Sequence, residues 1–179
     1  MDIRVGIGFD AHALEAGVPL VLGGVSVDYP RGLAGHSDGD VIAHALIDAL
    51  LGAARLGDIG DNYPSGDLKY KDISSLRLLE LVRIKIANAG YQVENIDATV
   101  ICDKPMLGEL KISMSKNIAN ELEVSPQQVS VKASTTEGLG FTGEGKGIAA
   151  MAVALVSEIV TEEEEEEPEE GYEDEYQNE

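Results

Sequence analysis

The chain of 179 residues has one cysteine, Cys102, no tryptophan, and only 4% aromatic side chains. A lone thiol excludes an intramolecular disulfide and fits a reducing compartment. No apolar run reaches the roughly 20 residues that a membrane span needs, and basic side chains number 13 against 33 acidic ones. A chain so poor in cations lacks the footprint on which nonspecific nucleic-acid binding depends. The expectation from these absences is a cytoplasmic protein with neither a membrane nor a nucleic-acid partner. The formal charge of −20 is unevenly spread, because residues 161–179 hold 12 of the acids and no base. That tail repels itself and has little to bury, so it is expected to be disordered. Residues 1–160 are enough for one domain with its own core.

What is present centres on His36-Ser37-Asp38-Gly39-Asp40-Val41-Ile42-Ala43-His44, a polar loop running into a helix expected over about 39–55. Asp40, His44 and Asp48 are spaced i, i+4, i+8 and share one stripe of that Ala-rich helix. Near the N-terminus, Arg4–His12 reads as a strand, and Asp10 and His12, two apart, point the same way. A helix packed on that face brings His44 to them. Two imidazoles and a carboxylate make an open zinc site with a fourth position for water or substrate; the alternative is two satisfied core histidines and an unrelated aspartate. Asp48 is a candidate to orient a histidine from behind.

Along the chain, a strand over about 2–12 and an extended stretch over 19–27 are expected to form a hairpin. Residues 57–67 are too rich in Gly, Asp and Pro for regular structure. Ser74 or Ser75 caps a second helix closed by Gly90. A strand follows over 91–101, then a helix over about 107–122 and a strand over 129–134. Residues 148–160 are small and apolar, and their periodicity leaves helix and strand open. This order predicts an α+β fold, a mixed β-sheet with helices packed on one face. The other face, with Val129, Val131, Ala149, Met151 and Val153, needs cover, which self-association supplies.

The loop Ser134–Gly147 combines hydroxyls, amides and one carboxylate, a phosphate-binding vocabulary. Gly138, Gly140 and Gly143 match G-x-G-x-x-G, but no dinucleotide-type strand and helix surround them. Glu137, beside Thr135 and Ser134, is suited to a hard cation that bridges phosphates; the alternative is a flexible hairpin.

Gly8-Phe9-Asp10-Ala11-His12, His36-Ser37-Asp38-Gly39-Asp40 with His44, Leu51-Gly52-Ala53-Ala54 with Gly57-Asp58-Ile59-Gly60, and Thr135-Thr136-Glu137 with Leu139-Gly140-Phe141-Thr142-Gly143 resemble the 2-C-methyl-D-erythritol 2,4-cyclodiphosphate synthase family. The resemblance covers residues 3 to about 158. It implies a homotrimer whose sheets line a central prism, with active sites between subunits and the last apolar segment a strand. It implies a lyase of the non-mevalonate isoprenoid pathway that turns a small-molecule cytidine diphosphate into a cyclic diphosphate and CMP. By position, Asp10, His12 and His44 would hold zinc, Glu137 a Mg²⁺ or Mn²⁺ ion on the substrate diphosphate, and His36 and Thr135 would stabilise the transition state. Substrate would meet Asp10, His12, Ser37, Asp58, Ile59, Gly60, Tyr63, Pro64, Ser65, Gly66 and Asp67. Thr136 and Glu137 would also meet substrate, and the cytidine pocket would comprise Cys102, Asp103, Lys104, Pro105, Met106, Leu107, Ser134 and Phe141. Three departures from the family's pattern stand out: Met106 replaces a usual Lys, Ser65 replaces an Asp, and Glu144 and Lys146 exchange the usual Arg and Glu. A rival chemistry for the same residues is a zinc-dependent nucleotide phosphohydrolase.

Overall fold

The computed structural model describes residues 2–35, 37–64, 66–70 and 73–160; the tail over 161–179 and its expected disorder lie outside them. Alternation builds the first strand, β1 (Ile3–Ala16). Its even positions carry Gly6, Gly8, Asp10 and His12 toward one face, and its odd positions carry Val5, Ile7 and Phe9 toward the other. The expected hairpin between this strand and the next extended stretch does not form. That stretch folds on itself, β2 (Leu20–Leu22) pairing antiparallel with β3 (Val25–Val27). Gly23 and Gly24 between them have φ of 54° and 69°, as a tight two-residue turn requires and as side chains resist. β1 pairs instead with β4 (Arg31–Leu33) and with the last strand.

Helix α1 (Val41–Ala53) starts at Asp40, whose carboxylate accepts from the Ile42 and Ala43 amides at 3.1 and 3.3 Å. Its other oxygen accepts from the Gly24 amide at 2.8 Å. Asp40 is fully buried, so it caps the helix and ties it to the β2–β3 turn rather than joining His44 in a reactive stripe. Asp40→Ala is expected to destabilise the protein by about 2–4 kcal/mol, the sum of a lost cap and a buried amide left unpaired. A urea titration would show the midpoint falling with its slope unchanged.

The chain continues through α2 (Ile59–Asn62), α3 (Ser75–Asn88), β5 (Tyr91–Ile101), α4 (Leu110–Leu122), β6 (Val129–Ser134), α5 (Gly140–Gly143) and β7 (Gly147–Glu158). Short helical turns occupy the 57–67 stretch expected to be irregular, where Asp58 caps α2, and the 134–147 loop, where Leu139 precedes α5. The apolar segment left open between helix and strand is β7, the central strand of a sheet ordered β4-β1-β7-β5-β6. Only the β5–β6 pair is parallel, so the sheet is mixed.

The long helices cover one face of this sheet. A side chain at Gly6 or Gly8 would put Cβ 1.8 or 1.9 Å from the carbonyl oxygen of Ala49 or Ala45, so α1 lies on β1 at a depth only glycine permits. Leu46, Leu50, Leu79, Ile86 and Met114 are fully buried in this layer, each worth about 1.5–3 kcal/mol. The opposite face is open in one chain: Val5 and Ile7 are each 65% exposed, beside Phe9, Met151 and Val153. Val129 and Ala149, expected on that face, are already buried. Among the described residues, no helix is long and apolar enough to cross a membrane.

Candidate metal centre and the surrounding site

The depth of α1 on β1 decides where His44 goes. Its Nδ1 lies 3.0 Å from Asp10 Oδ2 and 3.3 Å from His12 Nε2, and that nitrogen lies 3.0 Å from the same carboxylate oxygen. The three atoms lie within 4.8 Å of one another, the convergence expected from a strand pair and one helical residue.

The proton count at this point is short. The His12 Nδ1–H donates to the Ala34 carbonyl, so Nε2 presents a lone pair to a carboxylate oxygen, which is also only an acceptor. One proton on His44 Nδ1 can serve only one of them. A dication satisfies all three, and two imidazole nitrogens with one carboxylate oxygen suit an open, zinc-type site. Burial opposes ionisation of Asp10, but the His12 and His44 imidazoles beside it outweigh that and hold the carboxyl well below the ordinary range. The Asp10 carboxylate in turn raises His12, against the effect of its burial.

A cavity of about 250 Å³ opens beside the three ligands, lined also by Ser37, Asp48, Ile59, Gly60, Tyr63, Tyr70 and Leu78. Tyr63 and Tyr70 meet edge to face at 5.2 Å and form one wall. Tyr70 and Leu78 carried no sequence signal. The role expected for Asp48 is corrected: its Oδ1 accepts from the Ile59 amide at 2.8 Å, and it makes no hydrogen bond to His12 or His44. One turn beyond His44, it faces the Gly57–Gly60 loop and pins it. Asp58 is exposed and accepts from the Asp61 amide. Pro64, Gly66 and Asp67 lie in an exposed turn outside the cavity; His36 and Ser65 fall outside the described residues.

The other expected residues form a second cluster, and none of them lines this cavity. At its centre is Asp103, which accepts from the Thr135 hydroxyl at 2.5 Å and from the Thr136 and Gly138 amides at 3.0 Å each. Those donors, the Thr135 hydroxyl foremost, hold the Asp103 carboxyl below its ordinary value. The Cys102 amide joins the Ser134 carbonyl at 3.0 Å. Burial and the Asp103 charge push the Cys102 thiol up to about 11, so it is not a nucleophile. Lys104 and Met106 are exposed and Pro105 partly so, while Leu107 is buried. Glu137 takes a left-handed φ of 52°, its amide bonded to Thr135 Oγ1 at 2.9 Å, and Phe141 is exposed. The exchanged charges pair with each other, Lys146 to Glu144 at 2.5 Å.

Fold and site together define an α+β protein with a cluster between a strand and a helix that could hold a metal ion. The chain belongs to the YgbB family, whose model matches residues 3–157, the family of 2-C-methyl-D-erythritol 2,4-cyclodiphosphate synthases. It is 55% identical over 154 residues to the synthase of that name from Pelotomaculum thermopropionicum, an alignment covering 86% of this chain and 95% of that one. Its fold matches the bifunctional IspDF of Campylobacter jejuni with a TM-score of 0.85 at 42% identity, over 88% of this chain and 43% of that longer one. Plasmodium falciparum IspF in its CDP complex matches with a TM-score of 0.77 at 34% identity, over 88% and 97% of the two chains.

Proposed function

We propose that the protein converts 4-diphosphocytidyl-2-C-methyl-D-erythritol 2-phosphate into 2-C-methyl-D-erythritol 2,4-cyclodiphosphate with release of CMP, in the cytoplasm, as a lyase of the non-mevalonate isoprenoid pathway. The convergence of Asp10, His12 and His44 in a chain of this family carries the reading. Those three would hold zinc, and Glu137 the Mg²⁺ or Mn²⁺ on the cytidine diphosphate. Bound there, the cations supply charge neutralisation for phosphate groups that must approach one another.

The protein's own share is placement. An oxygen of the 2-phosphate bonds to the β-phosphorus while the bond to the bridging oxygen breaks and CMP departs with its electron pair; no water is consumed. Attacker and electrophile belong to one molecule, so holding it folded supplies the main entropic advantage. Ser37, ahead of the positive end of α1, suits a phosphate, and Ile59, Gly60 and Tyr63 bound the erythritol side. Asp58, Pro64, Ser65, Gly66 and Asp67 would add contacts to substrate. His36 and Thr135 would stabilise the transferring phosphate, Thr135 by turning its hydroxyl from Asp103 to a phosphoryl oxygen.

Cys102 to Leu107, Ser134 and Phe141 would take the cytidine, with Thr136 also meeting substrate. In one chain they lie apart from the 250 Å³ cavity, so a complete site draws them from a neighbouring copy. The apolar face of β1 and β7 supports this arrangement: a homotrimer with its sheets inward around a prism and its helices outward. Residues 1–160 form the catalytic domain.

Ile7→Asp, which sets a charge opposite Val153 in the register, is expected to yield monomers by sedimentation with unchanged far-ultraviolet dichroism. Separating the two halves of the site lowers kcat/KM about 10²-fold or more. Ile7→Asp monomers of wild-type activity would reject the shared site, and a wild type that sediments as a monomer would reject the assembly. The reaction itself is tested by phosphorus NMR of products. CMP and a cyclic diphosphate with no inorganic phosphate are expected; inorganic phosphate or a linear product would assign a zinc-dependent phosphohydrolase instead.

A further inference from the structure

Of the two serines that the sequence offers as the cap of α3, Ser74 takes the cap position, though its side chain makes no capping hydrogen bond. Ser75 is fully buried and turned toward the metal centre. Its hydroxyl lies 2.5 Å from Asp38 Oδ1 and 2.9 Å from His44 Nε2, and its amide donates to Asp38 Oδ2 at 3.1 Å. We propose that Asp38 and Ser75 act as positioning residues, a carboxylate–hydroxyl relay that fixes which ring nitrogen of His44 is free to bind metal.

Proton direction is the core of the argument. Asp38 is an acceptor only, so the single hydroxyl proton of Ser75 goes to it. The Ser75 oxygen then offers lone pairs, and the His44 edge facing it must supply the proton. With Nε2 protonated, Nδ1 is left unprotonated, facing Asp10 and His12. The relay thus gives His44 what the Ala34 carbonyl gives His12, a fixed tautomer with its lone pair on the shared point.

Ser37 is the competitor. Its hydroxyl lies 3.0 Å from His44 Nε2 and 3.1 Å from Ser75 Oγ, and its proton is not committed to a carboxylate. Donating to His44, Ser37 would select the opposite tautomer and put a proton on Nδ1. Ser75 holds the ring against that alternative and leaves the Ser37 hydroxyl free for a ligand.

The inference rests on the metal reading, and the experiment separates the two. Zinc affinity is measured by competition with a chromophoric chelator for the full-length protein and for Ser75→Ala, Ser75→Thr and His12→Ala. The His44 tautomer in metal-free protein is read from long-range nitrogen–proton NMR correlations. Wild type is expected to bind one zinc per chain and to show His44 protonated at Nε2. Ser75→Ala weakens zinc binding about 10–100-fold and mixes the tautomers, while Ser75→Thr, which keeps the hydroxyl, recovers most of both. Wild-type affinity with an unchanged tautomer in Ser75→Ala would overturn the relay and leave the metal site standing. Absence of zinc binding in wild type, or binding unaltered by His12→Ala, would overturn the metal reading and the relay with it.

Discussion

Gly8→Ala is expected to cost the protein its metal centre through one added methyl group. A Cβ at this position falls 1.9 Å from the Ala45 carbonyl oxygen and 2.8 Å from the Ala49 amide nitrogen. Both obstacles are helix backbone, so no rotamer change relieves them. β1 cannot retreat either, since its pairing with β7 is continuous from Ile3 to Ala13. Helix α1 must lift, and His44, next to Ala45 in the chain, lifts with it. A displacement near 1 Å destroys a convergence built on contacts of 3.0 and 3.3 Å, and misplacement of that size costs about 10²-fold in rate. Stability falls by about 1–3 kcal/mol or more from overpacking. Gly52→Ala is the internal control: it lies on the same helix, its Cβ meets nothing within 4 Å, and alanine there should stabilise by about 0.5–1 kcal/mol. Denaturation midpoints and zinc stoichiometry for the two variants check both parts. Gly8→Ala with full zinc content and unchanged stability would refute the packing argument.

The contrast between those glycines shows where the sequence was readable. Alternation on β1 placed Asp10 and His12 on one face, and helical spacing placed His44 on α1, because both periodicities are local properties of the backbone. What joins them is an approach between two elements about 40 residues apart, and a glycine gives no sign of what lies above it. For the same reason the short extended stretch was assigned to β1 when its own paired glycines turned it back on itself. Polar residues whose partners are distant in sequence were the least legible. Asp48 has helical spacing to His44 but bonds the Ile59 amide, and Ser75 has the form of a cap but bonds Asp38 and His44. Asp103, placed among nucleotide-contacting residues, holds the Thr135–Gly138 loop in shape. Each of these side chains was marked as polar and positioned, but only the fold shows which donor it faces.

His44→Ala is expected to abolish zinc-dependent stabilisation and activity together while leaving the fold intact. Without metal, the wild-type centre sets a carboxylate oxygen and an imidazole lone pair 3.0 Å apart, an arrangement that adds little to stability. Zinc resolves it, and a ligand at 100 times its dissociation constant adds about 2.7 kcal/mol to the native state. Wild type should therefore melt higher in zinc than in chelator, and His44→Ala should melt at one temperature in both. Removing the helix's ligand leaves Asp10 and His12 on the strand, too few for an open site with three protein ligands. Loss of the fixed charge that offsets two phosphates should lower turnover about 10²–10³-fold, the scale seen when one preorganised electrostatic partner is removed. Asp103→Ala provides the reciprocal case: its cluster lies outside the metal cavity, so the zinc-induced rise in melting temperature should persist while CDP binding weakens as the Thr135–Gly138 loop loses its anchor. A His44→Ala protein that still gained stability from zinc would place the metal elsewhere, and an Asp103→Ala protein that lost that gain would show the two clusters to be one site within a single chain.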